Sequence, residues 1–137
     1  MTIDDAVNYI GEKGKGAVEV HMTGGIPPNI TLDYYLELLK ELKTNFPEKA
    51  IKGLTCVEID VFSRKARRGY ADVLRSLNKA GLDMLPGGGA EIFDEGIRKK
   101  ICRGKLSSEQ WLHITKIAHG EGIRSNATML FGHIENY

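Results

Sequence analysis

Residues 78–93, NKAGLDMLPGGGAEIF, contain the transition on which the fold prediction depends. A helix-like segment ends at Gly81, a short apolar run covers Leu82 to Leu85, and three consecutive glycines follow Pro86. A glycine after a helix favours the left-handed position that ends it, and a short apolar run between turn residues is typical of a buried strand. The stretch therefore predicts a helix, a strand and a tight turn in immediate succession.

The same succession recurs along the chain. Strands are predicted within GAVEVHMTGG (16–25), AIKGLTCVEI (50–59), LDMLPGGG (82–89) and IRSNATMLFG (123–132). Helices are predicted over residues 2–16, 31–46, 61–81 with a break near Gly69, 94–102 and 107–122. Thr2, Thr31 and Ser107 are candidate N-caps, and Ser107 forms a capping-box pattern with Gln110.

Alternation of strand and helix implies parallel strands that helices cover. We predict an α/β fold in a single domain over residues 1–137, with about four parallel strands. Two architectures fit this pattern, an open doubly wound sheet and a partial (β/α) TIM-type barrel.

Composition excludes several classes of function. The chain has 42% hydrophobic and 27% charged residues and a formal net charge of +1, as an ordinary soluble domain has. This balance predicts neither a nucleic-acid nor a membrane partner. The first residues lack the basic and apolar regions of a signal peptide. Cys56 and Cys102 are far apart, which argues against a disulfide framework and a thiolate metal site, so we expect a cytoplasmic location.

Ligands of both architectures bind at the carboxyl ends of the strands. The segments at and after the predicted strand ends contain Gly, small hydroxyl and ionisable residues: His21, Thr23, Gly24, Gly25, Thr55, Cys56, Glu58, Gly87, Gly88, Gly89, Glu91, Asn126, Thr128, Gly132 and His133. The residues alone therefore predict a polar, glycine-rich site for a ligand with hydroxyl or amino groups.

The glycine run matches neither well-known phosphate motif. It lacks the last Gly of GxGxxG and the Gly-Lys-Ser/Thr of a P-loop. Glu91 repels phosphate and is suited to accept hydrogen bonds from a hydroxyl or an ammonium group. The alternative is a tight turn in which Glu91 caps the next helix.

The histidines divide into two pairs. His113 and His119 are six residues apart on one predicted helix, so a simple surface or core role is expected for them. His21 and His133 follow strands beside glycines, and no third ligand stands at metal spacing. For these two we expect substrate hydrogen bonding or proton transfer, and we predict no metal site. Trp111 is expected in the helix core.

Longer strings carry a family resemblance. They are EVHMTGGIPPNITLDYYLELLKELKTNFP, TCVEI, AGLDMLPGGGAEIFDEGIRKKIC, KLSSEQWLHITKIAH and GIRSNATMLFGHIE. They resemble the radical S-adenosylmethionine (SAM) enzymes of the aminofutalosine synthase family, on the futalosine route to menaquinone. The resemblance to the dehypoxanthine futalosine cyclases and the deazaflavin synthase subunit is weaker.

The resemblance implies a SAM-dependent transferase with a [4Fe–4S] cluster. Family members hold that cluster on a Cys-x3-Cys-x2-Cys loop, which this sequence lacks, so we expect no cluster in this chain. It implies that the double Gly of HMTGG cradles the methionine amino group of SAM, and that the glycine loop lets SAM or substrate lie against the backbone. The implied ligands are a nucleoside and a carboxylated aromatic compound. A complete barrel has about 250 residues, so we expect a central fragment, inactive when isolated.

A non-catalytic interpretation remains beside the enzymatic one. A partial barrel has open sheet edges, which pair readily with another chain. Val18, Val20 and Met129 are expected to face the barrel interior and to be exposed. Together these features predict a homodimer or larger oligomer, with the NATMLF segment or the N-terminal helix at the interface.

Overall fold

The computed structural model describes residues 1–134. Helices and strands alternate in the order α1 (Ile3–Lys13), β1 (Glu19–His21), α2 (Leu32–Asn45), β2 (Ala50–Lys52), α3 (Cys56–Ala66), α4 (Tyr70–Ala80), β3 (Met84–Leu85), α5 (Glu95–Ile101), α6 (Ser108–Gly120) and β4 (Arg124–Ser125). The four described strands form one sheet, and its three pairings are all parallel. The predicted α/β fold is therefore confirmed.

The strand order distinguishes the two architectures. Described strands lie in the order β1-β2-β3-β4, so each strand pairs with the next one along the chain. A doubly wound sheet reverses this direction, whereas a TIM-type barrel continues it. Because parallel crossovers are right-handed, a continuing order puts the helices on one face of the sheet. The structure has the geometry of a partial barrel.

The core lies between the sheet and its helices. Ile51 in β2, Leu85 in β3 and Ile123, just before β4, are at most 1% exposed. They belong to one cluster with side chains of α2, α3, α4 and α6, among them Leu39 and Leu77. Burying each such side chain contributes about 1.5–3 kcal/mol, so this single layer stabilises the whole sheet.

The helix ends follow the predicted chemistry. Thr2 and Ser107 form capping boxes with Asp5 and Gln110, and the Thr31 hydroxyl accepts a hydrogen bond from the Tyr34 N–H. Gly81, which ends α4, has a φ of 117°, in the left-handed region that favours glycine. These local signals are confirmed because each involves residues only a few positions apart.

All four described strands are shorter than the stretches predicted for them. The second strand ends at Lys52, and residues 56–59 are helical, because Thr55 and Glu58 form a capping box that starts α3. The spacing Thr-x-x-Glu is the capping-box signal, and it was interpreted wrongly as strand. The fourth strand covers Arg124 and Ser125 only, and the NATMLF segment is not a strand.

The prediction for Val20 is also wrong. Val20 pairs in register with Ile51, which lies under the helices, so it faces the helix layer and not the barrel interior. It is half-buried there. Val18 and Met129 are exposed as expected, at 81% and 77%.

None of the helices within residues 1–134 combines the length and the apolar character that crossing a lipid bilayer demands.

Candidate substrate and cofactor site

A cleft of about 350 Å³, called here the edge cleft, opens where the four strands end. It brings together the predicted site residues His21, Thr23, Gly24, Thr55, Glu58, Gly87, Gly88, Asn126 and Thr128. They come from four separate loops, as expected when parallel strands end at a common edge. Lys52 also lines this cleft, although the sequence did not single it out.

The other residues of the predicted site lie outside the lining of the edge cleft, Cys56 and Gly132 among them. Gly25 lines a neighbouring cleft instead. Gly89 is buried and Glu91 is half-buried beside the glycine run, and His133 is exposed. A ligand-binding role for these residues stays a prediction.

The glycine run is required by close contacts within the chain. A Cβ atom on Gly87 would lie 2.6 Å from the backbone nitrogen of Thr128 and 2.7 Å from the backbone of Ala127. Gly89 has a φ of 87°, where side chains are strained. Its neighbour Gly88 accepts a hydrogen bond from Trp111 Nε1 at 3.3 Å. The run therefore lets the chain turn tightly against residues 127–128, and this turn forms one wall of the edge cleft.

Glu91 has partners inside the chain. Its carboxylate accepts a hydrogen bond from the Gly89 N–H at 3.1 Å and lies 3.3 Å from Lys105 Nζ. Burial acts to raise the pKa of Glu91, but the Gly89 and Lys105 contacts outweigh it, and the pKa is lowered. The alternative prediction that Glu91 caps the next helix is wrong, because Asp94 is the N-cap of α5.

Arg98 binds backbone carbonyls of the glycine turn, and it was not predicted from the sequence. It is 2% exposed, and its guanidinium donates to the carbonyl oxygens of Gly89, Ala90 and Ile92 at 2.5–2.8 Å. It also donates twice to Leu106 O, at 2.6 and 2.8 Å. The planar fork of arginine suits this arrangement of carbonyls. In the sequence, Arg98 lies in a basic run that resembles an exposed helix face.

Glu58 is the buried carboxyl of the edge cleft. It is 6% exposed, and its Oε2 accepts hydrogen bonds from the Thr55 N–H at 2.7 Å and the Thr55 hydroxyl at 2.8 Å. Burial raises the pKa of Glu58, and the Thr55 bonds oppose this only in part. Such a group can accept hydrogen bonds from a ligand or hold a proton close to it.

A second cleft of about 480 Å³, called here the helix cleft, adjoins the first beside α1 and α2. Both clefts are lined by His21, Thr23, Gly24 and Glu58, and the helix cleft adds Gly25 and Tyr35. Burial, and then the charge of Glu58, raises the pKa of the Tyr35 phenol. Glu58 therefore stands where the two clefts meet.

His113, His119 and Trp111 contact other side chains or lie in the core, as residues with structural roles do. His113 packs edge-on against Tyr70, with ring centres 6.1 Å apart, and His119 Nε2 lies 2.8 Å from the Ser125 hydroxyl. Both histidines are exposed on α6, as expected of surface residues. Trp111 is 3% exposed in the core.

The cysteines do not fit the iron–sulfur cluster that the resemblance implies. Cys56 and Cys102 are both buried, and Cys56 Sγ lies 3.3 Å from Thr115 Oγ1. Burial raises the pKa of the Cys56 thiol, which disfavours the thiolate that ligates iron. Within residues 1–134, no three His, Cys, Asp or Glu side chains group as metal ligands. The described residues therefore supply no cluster site.

Comparison with known proteins shows the family of this chain. The family model described as the Radical SAM superfamily matches residues 1–137. The chain is 49% identical over 134 residues to an aminodeoxyfutalosine synthase of Thermus thermophilus, which covers 97% of this chain and 36% of that protein. It is 43% identical over 121 residues to a 5-amino-6-(D-ribitylamino)uracil–L-tyrosine 4-hydroxyphenyl transferase of Methanopyrus kandleri, which covers 88% of this chain and 33% of that protein. The chain thus spans about a third of the length of these curated relatives.

Solved structures support the fold alone, because their sequences are distant. Methylornithine synthase matches with a TM-score of 0.65 and 19% identity, over 90% of this chain and 32% of that one. The cobalamin-dependent S-adenosylmethionine radical enzyme OxsB, solved with SAM bound, matches with a TM-score of 0.66 and 13% identity, over 94% of this chain and 19% of that one. The family model and the curated relatives confirm the resemblance found in the sequence. Superfamily members use SAM and a [4Fe–4S] cluster, and this chain belongs to the radical SAM superfamily.

Proposed function

We propose that this chain forms part of the SAM- and substrate-binding wall of a radical SAM transferase of the aminodeoxyfutalosine synthase type. The observation that carries the proposal is the meeting of loops from all four described strands in the edge cleft. The high identity to aminodeoxyfutalosine synthase favours this transferase over its relatives.

In the proposed whole enzyme, the S–C5′ bond of SAM breaks and methionine leaves, the 5′-deoxyadenosyl group forms a bond to a carboxyvinyloxybenzoate, and water takes up the lost carboxyl group, which leaves as bicarbonate. The cluster belongs to that whole enzyme, and the described residues do not fit it. The part of this chain is to bind and orient the reactants. We propose that the isolated chain has no catalytic activity.

The proposed roles follow from what each loop exposes. The segment from Thr23 to Gly25 carries little side-chain bulk, so an amino acid moiety can approach its backbone. Glu58 is suited to accept hydrogen bonds from a ribose hydroxyl or an amino group. Asn126 and Thr128 supply further polar groups on the opposite wall.

Binding of SAM to the purified chain tests this proposal. A Cβ atom on Gly25 would have nothing within 4 Å, so Gly25→Val is expected to leave the fold intact and to add bulk in the helix cleft, next to Gly24 of the edge cleft. Calorimetry is expected to show weak SAM binding that Gly25→Val weakens by about tenfold, equivalent to 1.4 kcal/mol. Gly120→Val is the matched control, since its site is equally open at the far end of α6. Equal binding by both variants would contradict the proposal.

A second candidate is a non-catalytic partial barrel that forms homodimers or larger oligomers. The observation in its favour is the exposure of Val18 at one end of the sheet and Met129 at the other. A twofold assembly would cover both apolar residues at once. Light scattering at a protein concentration of about 50 µM tests this candidate, because contacts with dissociation constants of about 1 mM would not hold copies together there. The unmodified chain is expected to associate, and Val18→Lys is expected to associate less. A stable 15.2 kDa monomer in the unmodified chain would exclude it.

A further inference from the structure

The strand β1 forms an edge of the described sheet and has unused hydrogen-bonding groups there. The Val18 carbonyl and the Met22 N–H bond to β2, at 2.9 and 2.8 Å. In a parallel pair, residues that bond the neighbouring strand alternate with residues whose backbone groups point away from it. Glu19 and His21 therefore direct their N–H and C=O groups to the open edge, where they are available to a further strand.

The helix α1 lies beside this edge and has no strand beneath it. None of its residues is buried, whereas each of the other helices within residues 1–134 has at least one buried residue. Ala6 and Ile10 on its apolar face are half-buried, and they line the helix cleft with Tyr9 and with Val20 of β1. The helix cleft thus lies between α1 and the open edge, in the position where a strand would pack under the helix.

The segment after β4, residues 126–131, is extended and is called here the edge segment. The N–H groups of Asn126, Thr128 and Leu130 each donate to a backbone oxygen of residues 85–91, at 3.4, 3.2 and 2.7 Å. Bonding by every second residue is the pattern of a strand. The residues in between direct their backbone groups outwards, so this segment forms the second open edge.

The apolar side chains of the edge segment lack a helix to cover them. Ser125 pairs in register with Leu85, which is buried under the helices. Alternate residues of an extended chain project from the same face, so Met129 and Phe131 project towards the helix side as Ser125 does. They are 77% and 74% exposed, and no helix follows them in the described part of the chain. The edge segment is a strand without a helix, whereas α1 is a helix without a strand.

The number of strands and their register fit a closed pair of copies. Two copies supply eight parallel strands, the number in a TIM-type barrel, whose shear of eight residues amounts to four for each half. Within one copy the paired residues put Arg124 level with His21. A shift of four puts Thr128 level with His21 of the second copy, so the edge segment runs beside residues 19–24. The opposite shift is excluded, because Gly120 at that level is helical.

The exposed apolar surface is large enough for a stable contact. Val18 and Tyr9 at one edge, and Met129 and Phe131 at the other, are 62–81% exposed. A large side chain has a surface of about 150–250 Å², so these four expose roughly 500 Å² in each copy. Two copies offer roughly 1,000 Å² of apolar surface, and the backbone of two new strand pairs extends this into the range of about 1,200–2,000 Å² that specific interfaces bury.

We propose that two copies of this chain form a closed twofold dimer in which the edge segment of each copy pairs with β1 of the other. Met129 and Phe131 then lie under α1 of the second copy, at its helix cleft. A twofold axis makes both contacts at once and leaves neither edge open. The inference rests on the second candidate function, the association of copies, and adds the surfaces, the register and the closure of the assembly.

Cross-linking between two variants tests the contact. Tyr9→Cys and Met129→Cys place accessible thiols on α1 and on the edge segment, whereas the native Cys56 and Cys102 are buried. After mixing and subunit exchange, a short bismaleimide is expected to link one variant to the other. It is expected to link neither variant to itself, because the twofold axis puts equivalent positions on opposite sides of the barrel. A mixture of Tyr9→Cys with Leu112→Cys, at an exposed position on α6, is the control and gives no link.

Light scattering measures the strength of the association. At about 50 µM the unmodified chain is expected to have twice its mass of 15.2 kDa. Met129→Asp is expected to raise the dissociation constant by about tenfold or more, because the dimer would bury its charge under α1. Leu112→Asp is the matched control, since it also replaces an exposed apolar side chain, and it leaves the constant unchanged. Circular dichroism checks that both variants are folded.

The possible failures have different meanings. A mass that stays at 15.2 kDa up to about 200 µM overturns both the inference and the second candidate function. Association overturns the inference alone if the cross-links join identical variants, or if Leu112→Asp weakens the dimer as much as Met129→Asp does. SAM binding tests the first candidate function separately.

Discussion

Thr128 donates two hydrogen bonds to the carbonyl oxygen of Gly87, one from its backbone N–H at 3.2 Å and one from its hydroxyl at 2.8 Å. Two residues further on, the Leu130 N–H donates to Glu91 O at 2.7 Å. The segment after β4 is therefore bonded to both ends of the glycine turn. This relationship makes two loops of the edge cleft into one wall, and the turn tolerates no side chain at Gly87.

Gly87→Ala is expected to destabilise the chain by about 1–3 kcal/mol, the usual cost of forcing an extra methyl group into a packed site. The new Cβ would collide with the backbone of Ala127 and Thr128, which a rotamer change cannot relieve. Urea unfolding measures the loss. Gly88→Ala is the matched comparison and is expected to cost less, because its nearest atom is the Thr55 methyl group at 3.2 Å. Equal effects at the two positions would refute the explanation.

Arg98→Met is expected to lower the free energy of unfolding by about 3 kcal/mol, because it leaves several buried carbonyl oxygens without donors. Arg98→Lys is expected to restore only part of this loss, since an ammonium cannot reproduce the planar fork. Urea unfolding measures stability, and Trp111 fluorescence reports on the turn through its bond to Gly88. Arg103→Met, at an exposed neighbouring position, is the control. An unchanged urea midpoint in Arg98→Met would show that the glycine turn does not depend on the hydrogen bonds of Arg98.

The stability contributed by Glu58 is expected to fall as the pH rises. Burial raises its pKa in the folded chain above the ordinary value of 4.5, so folding favours the protonated form. That contribution is fully present below pH 4.5 and is lost as the pH rises through the folded pKa. Each pKa unit corresponds to about 1.4 kcal/mol.

Glu58→Gln measures this effect, because glutamine keeps the capping-box bond without the charge. The variant is expected to gain stability relative to the unmodified chain as the pH rises above 4.5. Unfolding curves at several pH values check the trend. Glu37→Gln, an exposed change on α2, is the control. If the free energies of unfolding of Glu58→Gln and the unmodified chain differ by the same amount at every pH, the result would count against a raised pKa of Glu58.

Anaerobic reconstitution with iron and sulfide is expected to leave the purified chain without a stoichiometric cluster. Its two cysteines are buried at separate places, and a [4Fe–4S] cluster needs several thiolates together. Iron and sulfide analysis with visible absorbance checks this. The double variant with Cys56→Ser and Cys102→Ser is the control and is expected to give the same result. Stoichiometric iron and sulfide in the unmodified chain alone would contradict the prediction.

Local sequence signals predicted the helix ends well. The capping residues Thr2, Thr31 and Ser107 were identified correctly because their partners are three residues away. The same signal at Thr55 was overlooked, since its apolar neighbours also fit a strand. Strand lengths were overestimated for a related reason: β-rich composition continues past the point where a neighbouring strand is available for pairing.

Only part of the candidate site was predictable. The rule that parallel strands end at one edge predicted the meeting of His21, Thr55, Gly87 and Asn126. Lys52 was missed because the sequence placed it inside a predicted strand, whereas the structure ends that strand at Lys52 and places it in the lining of the cleft. Arg98 was missed because a buried arginine and an exposed one look alike in a basic run.

The sequence by itself determined the order of helices and strands, the parallel sheet and the family, because these depend on short-range periodicity and on long strings of identical residues. Tertiary structure decided which residues became neighbours. It showed that the glycine run lets the chain pack against the backbone of residues 127–128. It also showed that the Glu91 carboxylate contacts the Gly89 N–H and Lys105 Nζ, and that Val20 faces the helices. The physical reason is that hydrogen bonds, burial and register join residues far apart along the chain, and only the folded sheet brings them within contact distance.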